Sequence, residues 1–228
     1  MYSKIPLAGS LGAGDAEILA DVLYEVGKDL AAKQDYLLAV KWLNRAHEAL
    51  ESQSLEALSR EATELQLAIM QSLVSAYLGL KTDEGRQNAR GMVQYLASEL
   101  GDKPVVLLLE LELLNSLPDE VFDADAYGHV LRRMTRVFSP SDSYFKLVIH
   151  HIRKLHAKNH GLACKLLDEF LPILRRSEQD AWVEKAAVHR IWMAQEGDEA
   201  ESVENLQHVF SQTEKPLGAD AAMAALAV

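Results

Sequence analysis

Apolar and polar positions recur with the period of a helix twice near the start of the chain, with one interruption. Leu23, Val26, Gly27 and Leu30 share one helical face. Gln34 and Asp35 break the pattern, and Tyr36, Ala39, Leu43 and Ala46 then resume it on one face of a second helix. The spacing predicts helices over residues 15–32 and 36–53, folded back on each other, with Asp15 as the first N-cap. Gly27, Ala39 and Ala46 fall where the axes would come closest, because a large side chain there would hold the helices apart.

The same period continues along the chain. A third helix starts near Ser54 or Ser59 and runs to Leu80, with Leu65, Ile69 or Met70, Leu73, Val74 and Tyr77 inward. Thr82 is placed to cap a fourth helix, which covers 86–100 with Ala89, Val93, Leu96 and Ala97 inward. Gly101 ends it. Pro104 opens a fifth, whose VVLLLELELLNSL run is apolar on nearly all sides, as in a helix packed between neighbours. A buried strand is the alternative for that run, and the helical flanks favour the helix. Residues 125–138 form a sixth helix. A seventh, 140–157, is capped by Ser139 with Pro140 in its first turn. Asn159-His160-Gly161 turns the chain into an eighth, 161–175, which contains Pro172, a position that can kink it. A ninth begins at Ser177 or Asp180, carries Trp182, Val183, Ala186, Ala187, Ile191 and Trp192, and ends at Gly197. A tenth runs to about Gln212 from an Asp198/Glu201 capping pattern. Residues 1–14 lack periodicity and read as flexible. Residues 215–228 read as the apolar start of a further helix, cut short.

The order Leu23, Val26, Gly27, Leu30, turn, Tyr36, Ala39, Leu43, Ala46 resembles a tetratricopeptide repeat, a helix–turn–helix unit of about 34 residues that occurs in stacks. It departs from that pattern at Leu23, where the family has Trp, and at Gln34, where it has the turn Gly. The fold expected is therefore all-α: a tetratricopeptide-like superhelix of about five antiparallel helix pairs over residues 15–214. The resemblance implies that the first helices of each pair line a groove. In the first unit this exposes Asp21, Tyr24, Lys28 and Ala32. Co-chaperone members of that superfamily hold a C-terminal carboxylate with Lys and Asn at two such places. Tyr24 and Lys28 stand there in this chain, so that clamp is not supported.

Charge adds an asymmetry. The 228-residue chain carries a net −11, which argues against wrapping nucleic acid with its whole surface. Yet residues 129–176 hold ten Lys/Arg against three Asp/Glu, and five of the eight His. The plain reading is a solvated helical face. The functional one is a basic patch, including Arg132, Arg133, Arg153 and Lys154, that receives an acidic partner or a phosphate backbone. No apolar run is long enough to span a membrane, and the first residues lack a secretory pattern. Cys164 is the only cysteine, so no intrachain disulfide forms, which fits a reducing compartment.

Candidate chemistry is sparse. The three glycines of residues 9–14 precede a helix, but neither a preceding strand nor a following Lys-Ser/Thr makes them a phosphate cradle. His150, His151, His156, His160 and Cys164 are the most ligand-like set, with His156, His160 and Cys164 four apart. The Asn159–Gly161 break and the lack of a second Cys or acidic pair argue against a metal. Cys164 has no neighbouring base in sequence and packs as a small apolar residue. Glu110/Glu112 and Asp123/Asp125 point apart on their helices. No GxSxG, HExxH, P-loop or dinucleotide fingerprint occurs. The expectation is a non-enzymatic protein without cofactor, metal or small-molecule substrate.

Taken in order, DLAAKQDYLLAVKWLNRAHEAL, ELQLAIMQSLVSAYL, NARGMVQYLASELGDKPVVLLLELELL and SYFKLVIHHIRKLHAKN are similar to the Spo-twenty-two/Zip-four-like meiosis proteins. The likeness covers residues 15–212. It implies a nuclear scaffold on meiotic chromosomes, promoting crossover recombination and synaptonemal-complex assembly by binding other proteins, including a partner related to the XPF nuclease family. Family members are much longer than this chain, and no site residue carries over. An adaptor of another pathway, or nucleic-acid binding through the basic segment, are the alternatives.

Overall fold

The computed structural model describes residues 12–137, 141–177 and 180–194. Among these, every regular element is helical: α1 Ala13–Ala32, α2 Tyr36–Glu51, α3 Arg60–Gly79, α4 Asp83–Leu100, α5 Pro104–Asn115, α6 Ala124–Arg136, α7 Asp142–His156, α8 His160–Arg176 and α9 Asp180–Ala194, with single 3-10 turns at Leu55–Ala57 and Asp119–Val121. The helix expected over 198–212 and the one begun at 215 lie outside the described residues. The VVLLLELELL run is helix, as its flanks implied, with Val106, Leu107, Leu109 and Leu111 all buried.

The helix starts follow from side chains that satisfy free backbone N–H groups. Asp35 accepts from Leu38 N, Ser59 from Ala62 N, Thr82 from Gly85 N, Asp123 from Ala126 N, Ser141 from Tyr144 N and Asn159 from Leu162 N. Three expected starts move. The first helix begins at Ala13 after Gly12, so Asp15 sits inside the first turn, where its charge meets the helix dipole, and does not cap. Residues 13 and 14 thereby belong to the helix. Thr82 starts α4 at Asp83, ahead of the expected Arg86. Ser141 caps α7, which begins at Asp142; Ser139 and Pro140, expected to open it, lie outside the described residues. α8 runs through Pro172 to Arg176.

The chain divides into two compact units, with the division falling inside α5: described residues 12–101 and 108–119 form the first, 102–107 and 120–194 the second. In the first, α1 folds back onto α2, α2 packs on α3, α3 on α4, and α1 lies beside α3. Its core is built largely of small residues: Ala20, Ala39, Ala46, Ala62 and Ala76 around Leu43, Leu50, Ile69 and Leu73. Gly27 is buried, and a Cβ on it would come 2.6 Å from Leu43 Cγ. The predicted close approach of the first two helices is thus real. Val26, placed inward by the spacing, is 40% exposed, because Gly27 rather than its larger neighbour takes the contact. Glu17 ties α1 to the start of α3, accepting from Ser59 N at 2.7 Å and from Ser59 Oγ at 2.9 Å.

The two hairpin turns of this unit match. Gln34 and Lys81 each stand two residues before the next helix, and both have positive φ, 63° and 55°. Each is followed by its capping residue, Asp35 or Thr82. Left-handed backbone favours Gly, so both turns hold a side chain where the architecture prefers none.

In the second unit α6 packs on α7 and α8, α7 on α8, and α8 on α9. Its core sets a cluster of buried aromatic rings among aliphatic side chains such as Leu131, Ile152, Leu155 and Leu167. Phe145 stacks against Trp182 at 5.7 Å and Phe170 at 6.5 Å between ring centroids. Gly128 lets α6 approach Leu162 of α8, where a Cβ would meet Leu162 Cδ2 at 2.8 Å. The hydroxyl of fully buried Tyr127 lies 2.6 Å from His151 Nδ1. Arg190, 2% exposed, grips Asp168 with Nε and Nη2 at 2.8 and 3.2 Å. Trp192, read as a core residue from spacing, is 57% exposed: Ile191 and Met193 on either side of it are buried instead.

Candidate functional site

Among the described residues, both units have open clefts along their helices. In the first, a cleft of about 750 Å³ lies against α2, α3 and α4. His47, Gln66, Tyr77, Gln87, Met92 and Tyr95 are among its walls. Gly91 borders it too, and a Cβ there would meet open space. Tyr77 Oη donates to Asn44 Oδ1 at 3.3 Å and accepts from Asn44 Nδ2 at 3.0 Å. His47 Nδ1 sits 3.5 Å from Glu51, while its buried Nε2 has no hydrogen-bond partner among the described residues. Amides, thioethers and phenols beside the His47–Glu51 pair can hold a peptide segment.

In the second unit a cleft lies between α7 and α9, with two lobes of about 240 and 400 Å³ that have Arg153 and His189 as common walls. α7 contributes Phe145, Lys146, Ile149, His150, Arg153 and His156. α9 contributes Lys185, Val188, His189, Trp192 and Met193. Among the described residues no carboxylate lines either lobe. Asp142, at the α7 N-terminus, pairs with Lys146, whose ammonium holds the Asp142 carboxyl below its usual range. Burial, with Arg153 nearby, holds the His189 imidazole below its ordinary value.

The residues singled out from sequence are scattered over both units. Tyr24 is half-buried against the α1–α2 core, with Lys28 5.3 Å from its ring centroid. Lys28 is paired with Glu25 at 2.6 Å, a contact that raises its pKa. Neither lines the first cleft, which is built on α2, α3 and α4 and not on α1. Arg132 bonds Glu169 at 2.7 Å. Arg133 bonds Asp102 at 2.6 Å and holds that carboxyl below its usual range. Arg153 and Lys154 are exposed, and only Arg153 reaches a cleft.

The histidine series does come together, across the turn that separates α7 from α8. His160 Nδ1 lies 2.9 Å from His156 Nε2, and His160 Nε2 lies 3.8 Å from Cys164 Sγ. Among the described residues no His, Cys, Asp or Glu group has the arrangement of a metal site. Nor is any described helix long and apolar enough to cross a membrane. Sequence reasoning missed Lys185, His189 and Trp192. Their spacing of four and then three marks one face of α9, opposite Ala186 and Ala187, and this was the available signal.

What fold and clefts define together is an all-helical protein of packed hairpins whose open surfaces lie between helices. A family model described as "Meiosis protein SPO22/ZIP4 like" matches residues 1–228, and the chain belongs to that family. No curated protein and no solved structure matches it.

Proposed function

We propose that this chain is a non-enzymatic interaction scaffold of meiotic crossover recombination and synaptonemal-complex assembly, working on chromosomes in the nucleus. Its hairpins stack in the manner of tetratricopeptide repeats, and partner segments seat apolar side chains between them. Its partners are other meiotic chromosome proteins, with an XPF-related protein among them by family resemblance. The observation that carries the reading is the pair of open inter-helix clefts in a chain of a meiosis family. Family membership also weighs against an adaptor of an unrelated pathway.

Direct nucleic-acid binding through 129–176 is the weaker reading. Arg132 and Arg133 are already engaged by Glu169 and Asp102, which lowers the charge free to meet phosphates. The test is affinity capture with the full chain from meiotic cells, after nuclease treatment. Recovery of chromosome-axis and crossover proteins supports the scaffold. Capture that disappears with nuclease supports nucleic acid, and a chain that captures no meiotic protein sinks the proposal.

A further inference from the structure

The α7–α9 cleft has a composition more specific than a general binding surface. Lys146, His150 and Arg153 from one helix face Lys185 and His189 from the other, above a floor of Phe145, Ile149 and Val188. Exposed Trp192 stands at the Arg153 end. Asp142 offsets Lys146 at the opposite end, and its field also reaches Lys185. Arg153 has no ion pair among the described residues.

The geometry points to this cleft as the docking site of a short acidic peptide segment that carries one large apolar or aromatic side chain, with Arg153 and Lys185 holding its carboxylates and Trp192 packing on its anchor. The inference rests on the scaffold reading and names the chemistry of one partner. The cationic walls ask for negative charge. The apolar floor and Trp192 ask for a hydrophobic group between the charges, as buried aromatic anchors do in peptide grooves. From Lys146 to His156 the wall is about 15 Å long at the helical rise. That length takes about five extended residues. A duplex would meet only the rim cations and leave the floor unused. The site further explains why the basic stretch read from sequence stopped short: half of the cleft lies on α9, beyond residue 176.

The experiment titrates the full chain with labelled peptides of about ten residues. Each is rich in Glu around a single Phe, Leu or Trp. Companions replace Glu by Gln or the anchor by Gly, and a single-stranded oligonucleotide of similar length is run beside them. At low salt the acidic anchored peptides bind and both companions bind more weakly. Arg153→Glu and Lys185→Glu each weaken binding about tenfold or more, while Lys165→Glu, the same charge change outside the cleft, weakens it less than threefold. Trp192→Ala costs the anchored peptide more than its Gly companion. Circular dichroism of each variant confirms that it is folded. The proposal is overturned if no acidic peptide binds, if Lys165→Glu acts as strongly as Arg153→Glu, or if the oligonucleotide binds tighter and depends on Arg153. Capture of meiotic proteins by the Arg153→Glu/Lys185→Glu chain separates the two claims. Partners all retained leave the scaffold standing without this site. Peptide binding without any meiotic partner sinks the scaffold alone.

Discussion

The two units solve the same packing problem with different mixtures of side chains. The first brings helices together over Gly27 and a set of buried alanines, so its backbones approach closely and each contact buries little area. The second adds Phe145, Phe170, Trp182 and Tyr127 to its aliphatic core, each of which buries a large surface. The clefts differ too: amides, thioethers, phenols and the His47–Glu51 pair border the first, and cations without a carboxylate line the second. A core of small residues is intolerant of added volume, while an aromatic core is intolerant of lost volume. Shared topology therefore does not mean a shared response to substitution.

The contrast can be broken most forcefully in the second unit. Phe170→Ala removes a fully buried ring from the stack with Phe145 and should cost about 3–5 kcal/mol, read by denaturant unfolding. Trp182 fluorescence in a Trp42→Phe, Trp192→Phe background would report it from within that unit. A loss below about 1 kcal/mol would mean the aromatic cluster collapses without consequence. In the first unit the damaging change is the reverse. Gly27→Val drives a branched side chain into Leu43 and should cost about 1–3 kcal/mol, checked by the same unfolding curve followed through Trp42. The equivalent Gly91→Val, which meets open space, should cost less than half as much by that measure.

A third difference appears in acid. Burial, with the charges of His150 and Lys154, pushes the His151 pKa down from 6.5 to about 4. Only a neutral ring can accept a hydrogen bond at Nδ1, which lies 2.6 Å from the Tyr127 hydroxyl. Below pH 6.5 the unfolded chain takes up a proton that the folded chain refuses. Stability from this group is complete above pH 6.5 and is lost as the pH falls toward about 4. After allowance for its partial exposure the loss is about 1–2 kcal/mol. His151→Gln, which keeps an acceptor but cannot titrate, should flatten that slope in melting curves taken between about pH 7 and pH 4. An unchanged slope would show that His151 is not the group responsible. The smallest effect sharpens the comparison from the other side. Gln34→Gly relieves the left-handed turn and should add about 0.5–1 kcal/mol, with Lys81→Gly giving a similar gain. A loss at either position would mean that the side chain, and not the backbone, holds the turn.

Much of the fold was legible because helix period and capping are local. Tyr36, Ala39, Leu43 and Ala46 on one face, Thr82 before α4 and Gly101 after it needed only neighbouring residues to be placed. Errors arose where two adjacent apolar residues compete for one inward position. Val26 lost to Gly27 and Trp192 to Ile191, and only the packed neighbour decides such contests. The candidate site was less legible for the same reason. Arg132 and Arg133 looked as available as Arg153 until Glu169 and Asp102 came beside them from distant positions. The cleft itself joins α7 to α9 across an intervening helix, a juxtaposition that no count of charges along the chain contains.

Cys164 has a practical corollary. It is the chain's single thiol, it is buried, and it lies on α8 beside His160. A maleimide or disulfide reagent can therefore reach it only when that helix swings open or unravels. The rate of its modification is a clock for local opening of the second unit, and an occupant between α7 and α9 that steadies those helices would slow it.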